Sequence, residues 1–138
     1  MIRYEFIDIP TPEQSRQIIH LYQAEGWWSI DENSNHILNK MIEGSHCFIT
    51  AIDGDRIIGM GRAISDKSSD AYIQDVTVAE AYRKRGIGSE IIKKIISRLQ
   101  ADGLSWIGLI AEKNSHEFYR QLGFHQMLDA IPLLKENR

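Results

Sequence analysis

The sequence predicts a single α/β domain, residues 1–138, built on a mixed, mostly antiparallel central sheet flanked by helices. Three observations predict it. Strand-like and helix-like runs follow the order β-α-α-β-β-β-α-β-α-β, with room for one further strand. Two β-rich runs, Cys47 to Ile52 and Arg56 to Ile64, flank Asp53-Gly54-Asp55, a hairpin signal that a purely parallel, doubly wound sheet does not contain. An isoleucine-rich amphipathic helix pattern begins after Gly86.

The elements can be justified in order. Tyr4 to Ile9 alternates as a strand does. Thr11-Pro12-Glu13-Gln14 opens a helix: Thr11 caps, Pro12 suits the first helical position, and Gln14 completes a capping box. Its apolar side is Ile18, Leu21 and Tyr22, and Gly26 stops it. Asp31 to Asn33 cap a second helix that turns Ile37, Leu38, Met41 and Ile42 inward and ends at Gly44. After the hairpin, a polar connection from Ser65 to Asp70 leads into the strand Tyr72 to Val78. The main helix carries Ile87, Ile91, Ile92, Ile95, Ile96 and Leu99 on one side, Lys93, Lys94, Ser97 and Arg98 on the other, and ends at Gly103. Trp106 to Ala111 is a short apolar run, read as a buried strand. Asn114 or Ser115 caps a last helix with Phe118, Tyr119 and Leu122, closed by a left-handed Gly123. Phe124 to Leu128 and Ile131 to Leu134 are the final strands, split by Asp129-Ala130.

Bulk properties narrow the function classes. A chain of 138 residues buries a real core without covalent staples. A net charge of -3 gives no electrostatic case for nucleic-acid or membrane binding, so any anion site must be local. The single cysteine, Cys47, rules out an internal disulfide, and no Cys/His spacing predicts a metal site. The N-terminus has no apolar signal stretch and no run approaches membrane-spanning length, so the expected location is cytoplasmic.

The most informative segment is Arg83-Lys84-Arg85-Gly86-Ile87-Gly88, between a strand and an amphipathic helix. A helix start presents unpaired backbone N–H groups and the positive end of the helix dipole. Glycines there let a phosphate approach the main chain, and basic side chains add charge. Three familiar phosphate motifs fail. A dinucleotide fingerprint needs glycine where Ile91 stands, and a P-loop needs Lys-Ser/Thr where Met60-Gly61 follow Gly54 and Gly59. A kinase glycine loop lies in a hairpin rather than at a helix start.

In this context the sequence resembles the GCN5-related N-acetyltransferases. Their pattern of Arg/Gln-x-x-Gly-x-Gly/Ala at a strand-to-helix turn is matched by Arg83, Gly86 and Gly88. The family also resembles this chain at Val76-x-Val78 and at Asn114-x-x-x-Phe118-Tyr119-x-x-x-Gly123-Phe124, and the order of elements agrees from Tyr4 to the C-terminus. The chain departs in having Glu80 where the family often has proline, a position that shapes a turn. Its short C-terminal segment implies a last strand that is stunted or completed by a partner chain.

The resemblance implies aminolysis of the acetyl-CoA thioester, with no metal, in a monomer or homodimer. It implies that Val76, Thr77 and Val78 pair with the pantetheine arm, with the Val76 N–H polarising the thioester carbonyl. The backbone of Arg85, Gly86, Ile87, Gly88 and Ser89, with Arg83 and Lys84 nearby, would hold the pyrophosphate. Asn114 would touch the cofactor or cap its helix, or both. Tyr119 would be the general acid facing the leaving sulfur. For the base, Asp75 leads because it adjoins Val76; it is equally a structural carboxylate tied to Arg62 or to nearby backbone. Tyr72, on the same strand, can orient water. Trp27 and Trp28 follow the first helix, where the resemblance places the border of the acceptor site; either an aromatic or apolar amine stacks on them or at least one of them closes the core. Glu25, Asp31 and Glu32 can attract a cationic acceptor. The acceptor is a small-molecule or peptide amine. The alternative is an acyl-CoA-binding module or sensor without turnover.

The histidines 20, 36, 46, 116 and 125 form no ligand spacing. His116 and Tyr119 can share a helix face. Cys47 reads as packing, and its neighbour His46 should point to the opposite face, against a Cys–His dyad.

Overall fold

The computed structural model describes residues 1–29 and 33–136. The chain divides into two compact units, Met1–Gly108 and Leu109–Arg138.

The first unit is organised by a five-stranded sheet. Its strands are β1 (Ile2–Phe6), β2 (Cys47–Asp53), β3 (Arg56–Ser65), β4 (Asp70–Val78) and β5 (Trp106–Gly108), in that spatial order. The first three pairings are antiparallel and β4 with β5 is parallel. The helices are α1 (Pro12–Ala24), α2 (Ser34–Gly44) and α3 (Ile87–Ala101), with a single 3₁₀ turn at Glu80–Tyr82. A mixed α/β sheet was expected, and the order of elements agrees through β5.

Neighbouring strand residues point to opposite faces, and β3 shows what each face receives. Met60 belongs to a cluster with Ile18, Leu21 and Tyr22 of α1, Leu38 and Ile42 of α2, and Phe48 and Ile52 of β2. Gly61, next to it, faces α3: a Cβ there would lie 2.9 Å from Ile91 Cγ2 and 3.0 Å from Ile95 Cδ1. The missing side chain therefore lets α3 lie close against the sheet. Ile87, Ile91, Ile92, Ile95 and Leu99 are all buried, each contributing about 1.5–3 kcal/mol of apolar transfer free energy.

Local signals account for the helix ends. The Thr11/Gln14 capping box forms in full: Gln14 N–H donates to Thr11 Oγ1 at 3.1 Å and Thr11 N–H to Gln14 Oε1 at 2.9 Å. α2 starts after Asn33 with no side-chain cap bond, and Asp31 lies outside the described residues. Ile37 is exposed rather than inward, because Leu38 and Ile42 already fill the side of α2 that meets the core.

The run Trp106 to Ala111 is shorter and wetter than expected. Only Trp106–Gly108 pairs as strand, and Trp106 is 38% exposed. The second unit contains α4 (His116–Arg120) followed by the expected left-handed Gly123. Ser115 occupies the N-cap of α4, but no side-chain hydrogen bond caps it. The two final strands do not form among residues 124–136. Apolar alternation alone supplies no ladder partner for their N–H and C=O groups, and Asp129, at φ 54°, breaks the extended run.

Candidate functional site

The site is built on β4, whose two ends differ. Asp70, Ala71 and Tyr72 pair with β5 on one side while Ala71 and Tyr72 also pair with β3 on the other. Pairing with β5 stops at Tyr72 opposite Gly108, and beyond it, among the described residues, Ile73, Gln74, Thr77 and Val78 pair with β3 alone. Main-chain groups along that free edge are available to an extended ligand.

The same stretch is bulged. Arg62 pairs with Gln74 and Met60 with Thr77, so Asp75 and Val76 together oppose the single residue Gly61. Asp75 accommodates the extra residue by adopting φ 57°. The side chains change face as a result. Asp75 and Thr77 reach α1 and its end, through Tyr22 and Glu25, while Val76 Cγ2 would lie 3.2 Å from a Cβ on Gly61, on the α3 side.

Polar side chains fasten the bulge. Asp75 Oδ2 accepts from Arg62 Nε at 2.6 Å and from the Tyr22 hydroxyl at 2.8 Å. The remaining Arg62 nitrogens donate to Ser45 Oγ at 3.3 Å and Gln74 Oε1 at 3.0 Å. Tyr22 is buried, and its phenol pKa is pushed up, first by burial and then by the charge and hydrogen bond of Asp75. The Trp28 ring stacks on Tyr22 with centroids 4.1 Å apart and packs on the core, whereas Trp27 lies 6.0 Å from Tyr22 and is 37% exposed. Tyr72 meets Trp106 edge-on at 5.3 Å and is also partly exposed.

β4 leads through the 3₁₀ turn to the glycine turn. Gly86 holds φ 81°, and no side chain caps the opening of α3. A Cβ built on Gly86 meets nothing within 4 Å, so the space beside that glycine is open among the described residues. Lys84, Arg85 and Gly86 are exposed, Gly88 and Ser89 half-buried, and Ile87 turns into the core. Arg83 is engaged elsewhere. Its Nε donates to the Val78 carbonyl at 2.9 Å and its Nη2 to Glu25 Oε1 at 3.1 Å, the oxygen that also accepts from Thr77 Oγ1 at 2.5 Å. Arg85 lies over the Tyr82 ring at 5.1 Å. The donor set fits a diphosphate: open main-chain amides at a helix start, with cationic side chains beside them.

In the second unit, the Tyr119 ring sits edge-on to Phe118 at 5.0 Å and to Phe124 at 5.9 Å. The Phe124 N–H donates to the Tyr119 carbonyl at 3.2 Å, so the chain reversal at Gly123 brings that ring back onto the tyrosine. Burial pushes the Tyr119 phenol pKa up. Asn114 is exposed with φ 62°.

The histidine and cysteine that follow α2 are occupied otherwise. His46 lies 2.8 Å from Ser65 Oγ through Nδ1 and 2.7 Å from Asp102 Oδ2 through Nε2, tying the start of β2 to the end of β3 and the end of α3. Cys47 is buried and its thiol pKa is pushed up to about 11 by burial, which suits packing.

The bulge and the role of Tyr22 were not foreseen, although a signal for the bulge exists. The sheet-facing apolar positions of β4 are Ala71, Ile73, Val76 and Val78, and the three-residue step between Ile73 and Val76 marks the extra residue.

Comparison with known proteins agrees with this architecture. Residues 5–124 match the model of the acetyltransferase (GNAT) family. A histone acetyltransferase of Glycine max is 44% identical over 69 residues, which are 50% of this chain and 30% of that protein. The chloroplastic serotonin N-acetyltransferase 2 of Oryza sativa subsp. japonica is 34% identical over 76 residues, 55% of this chain and 38% of that protein. The match thus spans well under half the length of these relatives. A GNAT-family acetyltransferase from Streptococcus pneumoniae superposes with a TM-score of 0.82 at 27% identity, covering 100% of this chain and 99% of that one. AAC(6')-Iy, solved with the bisubstrate analogue CoA-S-monomethyl-acetylneamine, shares the fold at a TM-score of 0.77 and 15% identity, with 99% of each chain covered. With its half-open, bulged β4 and its glycine turn at a helix start, the chain belongs to the GNAT family of acetyltransferases.

Proposed function

We propose that residues 1–138 act as one N-acetyltransferase domain that transfers the acetyl group of acetyl-CoA to a primary amine of a small molecule or peptide, by direct attack in a ternary complex. The observation that carries this reading is the free, bulged edge of β4 leading into an uncapped helix start. The bisubstrate analogue bound by AAC(6')-Iy supports the choice of donor.

Bound acetyl-CoA supplies the acetyl thioester. The main chain of Val76, Thr77 and Val78 would hold the pantetheine arm, and the amides of Arg85 to Ser89, with Lys84 and Arg83 nearby, the pyrophosphate. Arg83 contributes chiefly by bracing the turn through Val78 and Glu25. Asn114 and Tyr119 complete the cofactor contacts by family likeness. The Val76 N–H would donate to the thioester carbonyl oxygen, a preorganised contact of the kind worth ~3 kcal/mol. The Tyr119 hydroxyl would donate its proton to the departing sulfur; a phenol is protonated at neutral pH, and burial raises this one's pKa further. Asp75 either accepts the ammonium proton, with Tyr72 orienting a water, or serves only to hold the bulge. Trp27, the more exposed of the tryptophan pair, faces an aromatic or apolar acceptor, while Trp28 supports it from the core.

Titration of the ¹⁵N-labelled protein with coenzyme A tests the donor site. The amide signals of Arg85 to Ser89 should shift, and incubation with acetyl-CoA and a panel of amines should release free thiol. Signals that stay still at saturation remove the donor assignment. Binding without thiol release for any amine would instead make the chain an acyl-CoA-binding module; the phenol of Tyr119 in its family position favours turnover.

A further inference from the structure

The residue that absorbs the β4 bulge is an aspartate, not a glycine. A non-glycine residue at φ 57° inside a strand sits in a sparsely populated backbone region and persists only where its surroundings hold it. Its surroundings here are specific. One carboxylate oxygen, Asp75 Oδ2, is shared by a phenol from α1 and a guanidinium from β3, at 2.8 and 2.6 Å. Neither donor is free to drift. Arg62 is held by two further acceptors, Ser45 Oγ and Gln74 Oε1, and its side chain is 14% exposed. Tyr22 is 1% exposed and clamped by the Trp28 ring stacked 4.1 Å away. Asp75 is thus gripped from α1 and β3 through two side chains that are themselves held in place.

We propose that Tyr22 and Arg62 are positioning residues: by sharing Asp75 Oδ2 they lock the left-handed turn of β4, and with it the direction of the adjoining Val76 main-chain amide. The inference rests on the acetyltransferase reading, in which that amide meets the thioester carbonyl. It assigns the Asp75 carboxylate to backbone geometry and gives α1 a part in the reaction that no contact with substrate requires. The stack of Trp28 on Tyr22 makes the lock continuous with the segment that follows α1.

Five substitutions separate this from other roles. Tyr22→Phe keeps the ring and its stack and deletes only the hydroxyl. It should lower kcat about tenfold while KM for acetyl-CoA stays within about twofold, because a loosened donor is lost chiefly in the transition state. Arg62→Met should do the same and Arg62→Lys should recover part of the loss. Asp75→Ala must hold a positive φ with nothing to grip it, whereas Asp75→Gly adopts that φ freely, so the glycine variant should turn over about tenfold faster than the alanine variant. Equal rates in those two variants would mean that the carboxylate acts chemically, as a base, and would overturn the lock. An unchanged kcat in Tyr22→Phe would overturn it as well. A readout free of turnover completes the test: the backbone carbon and nitrogen shifts of Asp75 and Val76 should move in Tyr22→Phe, and unmoved shifts refute the lock. Wild-type protein that binds no coenzyme A and releases no thiol sinks the acetyltransferase reading itself, a result distinct from any of these.

Discussion

The two ends of β4 are one strand under two regimes. From Asp70 to Tyr72 it is regular, and β5 is hydrogen-bonded alongside it. From Ile73 to Val78 it loses β5, takes in an extra residue, carries a left-handed aspartate and gathers Tyr22, Arg62, Glu25 and Arg83 around it. The regular end is held chiefly by backbone pairing, with the Asp66 carboxylate accepting the Asp70 N–H at 3.0 Å. The irregular end has free main-chain groups and is held by polar side chains instead. A sheet can therefore offer donors to a ligand only where it gives up a partner, and the fold must then restrain that stretch by other means.

The largest expected effect sharpens this division of labour. If the open half of β4 binds and orients but supplies no proton, the acid lies elsewhere, on Tyr119. Tyr119→Phe should then lower kcat ~100-fold, a general-acid magnitude, with coenzyme A affinity nearly unchanged. Steady-state thiol release and a binding titration read the two quantities. Full activity in this variant would return the search for the acid to β4 and its neighbours.

Two glycines opposite the two halves give the next effect. A Cβ at Gly61, opposite the bulge, meets Ile91 and Ile95, which are fully buried on α3. Gly61→Ala should cost about 1–3 kcal/mol through overpacking. A Cβ at Gly108, opposite Tyr72, would lie 2.8 Å from the Trp106 ring, which is partly exposed and can swing aside. Gly108→Ala should cost less than about 1 kcal/mol. Thermal denaturation of both variants checks the order, and a reversed order would show that the bulged half is the softer one.

The smallest effect is a pH dependence. Burial and Asp75 raise the Tyr22 pKa in the folded state above its unfolded value of about 10. The associated stability is thus complete below pH about 10 and is lost as pH rises beyond it, since the unfolded chain sheds the proton first. Tyr22→Phe should flatten the alkaline limb of the stability curve. Tyr4, Tyr82, Tyr119 and Cys47, whose pKa values are also raised, keep some slope in the variant. An identical limb in wild type and variant would argue that the phenol is not gripped as the geometry indicates.

What could be read in advance follows a physical line. The capping box at Thr11, the left-handed Gly123 and the buried stripe of α3 are local, set by residues within a few positions of one another, and the sequence displays them. The family patterns around Arg83 and Tyr119 located the candidate cofactor and acid residues for the same reason. The tie of Asp75 to Arg62 is one of the two readings the sequence offers for that carboxylate, and it forms; the sharing with Tyr22, 53 positions away, is reported by no spacing rule. The expected strands at Phe124 and Ile131 failed on the same ground, since a ladder needs an opposite edge and alternation says nothing of one. Trp106 to Ala111 was read as buried because it is apolar, yet its ladder closes after three residues.

Glu25 marks where this organisation leads. One carboxylate oxygen at the end of α1 takes the Thr77 hydroxyl from β4 and the Arg83 guanidinium from the turn before α3. Two neighbouring segments, the end of β4 and the turn before α3, are moored to one atom of a third that lies 52 and 58 positions earlier in the chain. A transient opening of the Thr77 end of β4 should therefore draw the end of α1 and the turn before α3 with it, so that this corner opens as one cooperative piece.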